Sequence, residues 1–189
     1  MPALLMVVVA AFLAVPGPAV ASPAELDRMA WFEAGWRDRA GALEGVIGLQ
    51  AAGGHPSLPA GSGSGRRIVY SNSDLWVWLV DDRERVLDSY PVSGHRGWPR
   101  PGTYAVFSKS EDALAGYDGI TMRWMVRFTF GHETNIGFHD IPLDGRGRPL
   151  QTVDELGTYQ GGGCVRQEAS KARLLYAWAD LGTLVVVTP

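Results

Sequence analysis

The sequence predicts a mainly β domain, a sandwich or barrel-like body with one late helix and a second helix outside the domain. Two observations carry this. Short β-prone runs separated by turn residues follow one another beyond residue 66. In the clearest run every second residue is apolar, Met122, Trp124, Val126, Phe128 and Phe130, while Thr121, Arg123, Arg127 and Thr129 face away. A single helical pattern follows late, and no internal repeat interrupts the strand-rich body.

Before that body, residues 2–15 are apolar and uncharged, and Ala19-Val20-Ala21 puts small residues at the alternating positions that a signal peptidase reads. Cleavage after Ala21, and export to the cell envelope, periplasm or wall, are expected. Ser22-Pro23-Ala24-Glu25 reads as a capping box opening a helix, with Leu26, Met29, Ala30, Glu33 and Trp36 as one mostly apolar stripe. Residues 51–65 shift to Gly, Ser, Pro and Ala, a composition that builds no core and reads as a flexible linker. The expected organisation is a signal peptide over 1–21, a helix and linker over 22–65 and a main domain over 66–189.

Within the main domain, runs at 67–70, 75–80 and 85–92 are punctuated by Asn72, Asp81-Asp82 and Gly94, as in a meander of antiparallel strands. Pro101-Gly102 turns into a strand at 103–108; others are expected at 136–139 and, as a buried closing strand, at 183–187. Between residues 167 and 180, Ala172, Leu175, Trp178 and Ala179 share one helical face, which would put Cys164 just ahead of a helix N-terminus.

The chain has 189 residues, enough for one well-buried domain, and a formal net charge of -3, which provides no basic field for nucleic acid. Its single cysteine, Cys164, follows Gly161-Gly162-Gly163, a backbone that a substrate can approach closely. In an oxidising compartment cysteines come in pairs, so a lone exported one is a reactive thiol or an intermolecular bridge. A reactive thiol needs an imidazole or a helix N-terminus to favour the thiolate. Among four histidines the candidate is His139, where a strand gives way to a turn; His55 lies in the linker and His95 in a hairpin loop. His132 and His139 are seven residues apart (139 − 132 = 7) with no third ligand at a recognisable spacing, so no metal is expected.

The residues Pro91-Val92-Ser93-Gly94 leading to Pro101-Gly102-Thr103-Tyr104, then Gly137-Phe138-His139, then Gly163-Cys164-Val165-Arg166, together resemble the L,D-transpeptidase (YkuD-type) catalytic domain of bacterial cell-wall synthesis. The resemblance covers most of residues 66–189. That family pairs a histidine on one strand with a downstream Ser/Thr-His-Gly-Cys and a following Arg or Asn. Here the interval is longer than the common form (164 − 139 = 25), and Gly161 and Gly162 stand in place of the Ser/Thr and the His.

Carried over, the resemblance implies Cys164 as nucleophile and His139 as general base, oriented by the main-chain carbonyl or the side chain of Asp140. Gly163 and Cys164 would supply oxyanion-binding N–H groups, and Arg166 would hold the loop or meet a substrate carboxylate. The implied reaction joins peptidoglycan stem peptides through a Cys164 thioester with release of D-alanine, needs no metal or organic cofactor, and implies acylation by carbapenems; residues 144–148 are candidates for the cleft. Two other readings stand beside it. One is an exported cysteine peptidase, carboxypeptidase or sortase-like acyltransferase; the other is a non-catalytic wall-binding module on the same fold, with Trp98 among its aromatic contacts.

Overall fold

The computed structural model describes residues 55–115, 119–132 and 134–189. The expected signal peptide and N-terminal helix lie outside the described residues. The chain divides into two units, Met1–His55 and Pro56–Pro189, and all described residues except His55 belong to the second. In chain order the strands are β1 (Arg67–Ser71), β2 (Trp76–Val80), β3 (Val86–Pro91), β4 (Gly102–Ala105), β5 (Ser108–Leu114), β6 (Thr121–Phe130), β7 (Asn135–Asp140), β8 (Val165–Gln167) and β9 (Leu184–Thr188). Among the described residues one α-helix, α1 (Ala169–Trp178), connects β8 to β9.

They form two sheets, a five-stranded one ordered β3-β2-β1-β9-β4 and a four-stranded one ordered β5-β6-β7-β8. The predicted mainly β class with a helix after Cys164 is what the described residues form. β1, β2 and β3 make the expected antiparallel meander. The closing strand β9 enters the middle of that sheet, parallel to β1 and antiparallel to β4. Its Val185, Val186 and Val187 are all buried there.

Between the sheets the core is aromatic. Phe128 and Phe138 stack at 4.8 Å, and Tyr70 meets Phe138 edge-on at 6.4 Å. α1 buries Ala172, Leu175 and Trp178, and Lys171 Nζ reaches the Asp88 carboxylate of β3 at 2.8 Å.

β1 and β2 are buried at every position, which strands with one solvent face are not. Their other face carries Val69, Trp76, Trp78 and Val80 with Val186, and Leu58 packs against that cluster. Residues 56–65, read in the sequence as linker, therefore lie on the sheet. Trp78 Nε1 donates to the Pro56 carbonyl at 3.3 Å and Arg67 Nε to the Ser62 carbonyl at 2.8 Å. The segment has no regular structure of its own, and it is held by these bonds and by the side chain of Leu58.

Two strands escaped the sequence. β5 is polar up to its last two residues, SKSEDAL, and lies at a sheet edge where neither face has to be apolar. β8 has three residues, too few to show a period. The alternation in β6 is also imperfect: Trp124 takes φ of +61°, rare for an aromatic residue, and Met125 is buried beside Val126.

Candidate active site

β7 and β8 run parallel with Phe138 opposite Val165 and His139 opposite Arg166. One step earlier in the same register, Gly137 faces Cys164. Residues two apart on a strand share a face, so His139, Arg166 and Cys164 lie on one side of the sheet, while Phe138 and Val165 fill the core on the other. Parallel pairing thus brings together residues 25 apart in sequence (164 − 139 = 25).

His139 is 3% exposed. Its Nδ1 lies 2.5 Å from the main-chain carbonyl oxygen of Asp140. A carbonyl only accepts, so Nδ1 carries the proton and Nε2 keeps its lone pair. Of the two orienting groups left open by the sequence, the carbonyl meets the ring; the Asp140 carboxylate instead accepts the Arg123 N–H at 2.7 Å. Burial lowers the His139 pKa to about 4, with the charge of Arg166 acting in the same direction against the Asp140 hydrogen bond.

Cys164 is half-buried, and its Sγ–H donates to the Asn135 carbonyl at 3.7 Å. No hydrogen bond joins it to the His139 ring. Burial pushes the thiol pKa up, opposed by the Gly137 amide and the charges of Arg127 and Arg166. The resting pair is therefore neutral thiol and neutral imidazole. The expected helix N-terminus does not act on the thiol, because β8 intervenes and the N-cap of α1 is Glu168. The thiolate instead draws on strand-borne amide and guanidinium groups.

The glycines before the thiol differ in role. Gly163 has φ of +133°, and a Cβ there would sit 2.7 Å from Trp98 Cδ1, so only glycine fits under the indole. Gly161 has φ of +92° and lies against the Arg166 guanidinium, so the Ser or Thr of the family signature would be strained. Gly162 faces open space: a Cβ there meets nothing within 4 Å. The Arg166 Nη1 donates to Gln160 Oε1 at 3.4 Å, and its main chain exchanges hydrogen bonds with Ser93 at 2.7 and 2.9 Å. Arg166 thus braces the loop before the nucleophile.

Three neighbours of the site were not singled out as such by the sequence. Trp98 forms a wall over Gly163 and stacks on His132 with ring centroids 5.8 Å apart. Asn72 holds the loop that carries Trp98, donating to the His95 and Trp98 carbonyls and accepting from the Gly97 N–H at 2.7 Å. Arg127, opposite Gly137 on β6, is the third. Nothing local set it apart, since an arginine alternating outward on a strand is ordinary.

A groove of about 1290 Å³ runs beside Asp140, lined by Leu114, Met122, Leu143, Val153 and Arg127 among others. The 144–148 stretch does not line it. Asp144 instead accepts the Arg146 and Arg148 N–H groups and pairs with the Arg148 guanidinium at 2.8 Å, closing a turn on itself. Among the described residues no three His, Cys, Asp or Glu side chains are grouped to hold a metal ion.

The sequence model of the L,D-transpeptidase catalytic domain (YkuD) matches residues 65–187. No curated protein sequence matches significantly. Solved structures similar in fold include an L,D-transpeptidase from Mycobacterium smegmatis, with a TM-score of 0.54 and 19% identity over 67% of this chain and 60% of that one. One from Stackebrandtia nassauensis gives 0.53 and 22% over 67% and 56%. An L,D-transpeptidase in complex with imipenem gives 0.53 and 18% over 67% and 60%. The chain therefore spans less than two thirds of the length of each of these relatives. With a family match over residues 65–187, which is more than half of its length, the chain belongs to the L,D-transpeptidase catalytic domain family.

Proposed function

We propose that the protein is an L,D-transpeptidase that cross-links peptidoglycan stems through a thioester at Cys164. The observation that supports this most is the shared face of β7 and β8, with a thiol and a buried imidazole two residues apart in register and the imidazole Nδ1 tied to a carbonyl. Nε2 is then the free base.

In this reading His139 Nε2 takes the Sγ proton as Cys164 attacks the diaminopimelate carbonyl of a tetrapeptide stem. The S–C bond forms, and the oxyanion is held by N–H groups of Gly163 and Cys164, one such donor contributing ~3 kcal/mol in the transition state. The C–N bond breaks as D-alanine leaves with the proton from His139. The side-chain amine of a second stem attacks the thioester and gives its proton back through His139, restoring the thiol. A signal peptide ending at Ala21 would deliver the enzyme to the cell envelope, where both stems are found.

The test is intact-mass spectrometry after exposure to a carbapenem, the inhibitor class seen in one structural relative solved with imipenem. A single adduct on wild type and none on Cys164→Ala is expected. A folded wild type that gains no mass would overturn the reading. Incubation with purified tetrapeptide stems then separates cross-linked dimers, expected here, from tripeptides formed by hydrolysis.

A further inference from the structure

Two loops border the nucleophile, and neither carries an acid. Residues 89–110 hold Arg96, Arg100 and Lys109 without one Asp or Glu, and residues 156–167 hold Arg166 likewise. The chain as a whole is acidic, with a formal net charge of -3, so the positive sign is local. The fold sets these loops side by side. The Gln160 N–H donates to the Gly94 carbonyl at 2.8 Å, Tyr159 bridges to Gly94, and Trp98 covers Gly163.

Arg96 and Arg100 are both exposed, and each is laid on an aromatic ring of this rim. The Arg96 Cζ lies 4.1 Å from the ring centroid of Tyr159, and the Arg100 Cζ 5.9 Å from that of Trp98. Stacking orders a guanidinium but leaves its charge and its in-plane N–H donors unanswered. Among the described residues no carboxylate pairs with either, whereas Arg66, Arg67, Arg85, Arg123 and Arg148 each have one. The charges that act on the thiol are those of Arg127 and Arg166, which leaves Arg96 and Arg100 to act on what approaches it.

We propose that Arg96 and Arg100 form an anion-reading rim that selects substrates by charge, so that peptide stems whose side carboxylates are free are preferred over the same stems amidated there. A carboxylate away from the scissile bond meets a stacked guanidinium at the loop edge, and an amide brings no charge to it. The naming of stems rests on the acyl-transfer reading; the rim itself does not.

Cys164 is the chain's single cysteine, so thiol reagents read the rim without any acyl transfer. Two aromatic disulfides serve, dithiobis(nitrobenzoate) with two carboxylates and the neutral dithiodipyridine. In each the Cys164 thiolate forms a new S–S bond, the reagent's own S–S bond breaks, and its other half leaves as the thiolate. The ratio of the two rates, each taken relative to mercaptoethanol, should favour the dianion in wild type and fall as salt is raised. Arg96→Gln combined with Arg100→Gln should lower that ratio by about five-fold by slowing the dianion, while the matching pair of Lys substitutions should keep most of it. If the Gln pair does not fold, the single variants decide, each expected to lower the ratio by about two-fold. Folded Gln variants with the wild-type ratio overturn the rim, as does a wild-type ratio indifferent to salt or a Lys pair that loses as much as the Gln pair. With tetrapeptide stems, wild type should show kcat/KM about five-fold higher for free than for amidated side carboxylates, and the Gln pair nearly equal values. A preference that survives in the Gln pair, or a wild type that does not favour the free acid, overturns the substrate assignment. If the probe ratio depends on the rim while neither stem is turned over, the rim stands and the acyl-transfer reading fails.

Discussion

His139 is held neutral in the fold, and that has a measurable consequence for stability. Its folded pKa is about 4 against an ordinary value of 6.5, chiefly because burial penalises the charged ring. Above pH 6.5 the ring is neutral folded and unfolded. As pH falls from 6.5 through about 4, the unfolded chain takes up a proton that the folded one refuses, so stability falls by roughly 3 kcal/mol over that window. Urea denaturation at pH 7 and pH 4.5 should show most of this loss in wild type and much less in His139→Gln; equal losses would remove the buried neutral ring from the account. The same low pKa keeps Nε2 unprotonated down to about pH 4, so the acid limb of carbapenem acylation should lie near that pH.

Cys164 and His139 were legible because each residue type is scarce here and chemically distinctive, and the local Gly-Phe-His and Gly-Cys-Val-Arg contexts add specificity. Arg127 was not, because arginine facing outward from a strand is ordinary and only the pairing of β6 with β7 and β8 puts it in one row with Gly137 and Cys164, while its guanidinium rests on the Ser108 and Ser110 hydroxyls of β5. Trp98 was read as an exposed sugar contact for a related reason: nothing local reveals that its indole covers Gly163.

At the level of elements, the site is assembled by short pieces. β8 is three residues long and is held on one side by β7 and on the other by a bridge from Ser93 to Arg166. Such a strand has too few residues for periodicity, so the sequence carried the helix after the thiol directly up to it. The loop over residues 95–98 depends on one side chain, Asn72, which is 5% exposed and makes three hydrogen bonds to that loop's main chain. Asn72→Ala leaves an N–H and two carbonyls without that partner and should cost about 1–3 kcal/mol. It should also slow acylation of Cys164 several-fold, because Trp98 loses its fixed place over Gly163. Thermal melts together with acylation rates by mass spectrometry check this, and a destabilised variant acylated at the wild-type rate would confine Asn72 to folding. Asn72→Asp keeps the acceptor for Gly97 but loses the donors, and should fall between.

At the level of the whole molecule, the limits of the folded unit are set by how many faces of the first sheet need cover. Runs such as Ile68-Val69-Tyr70 and Trp76-Val77-Trp78-Leu79-Val80 are apolar without alternation, a pattern that signals burial on both faces. One face meets the second sheet. The other holds Val69, Trp76, Trp78, Val80 and Val186 and needs a partner, which residues 56–65 provide although their Gly, Ser and Pro content resembles a linker. Composition misleads here because a cover segment needs few anchors: Leu58 on the cluster, the Pro56 carbonyl for Trp78 Nε1, and the Ser62 carbonyl for the Arg67 side chain, itself 2% exposed. A chain beginning at Gly65 loses all three and leaves the Arg67 Nε without its acceptor. It should be less stable than one beginning at Pro56 by about 2–4 kcal/mol, combining a leucine's worth of apolar burial with broken buried hydrogen bonds. Chemical denaturation of the two chains measures the difference. Equal midpoints would mean that the first sheet keeps its outer face stable without that cover.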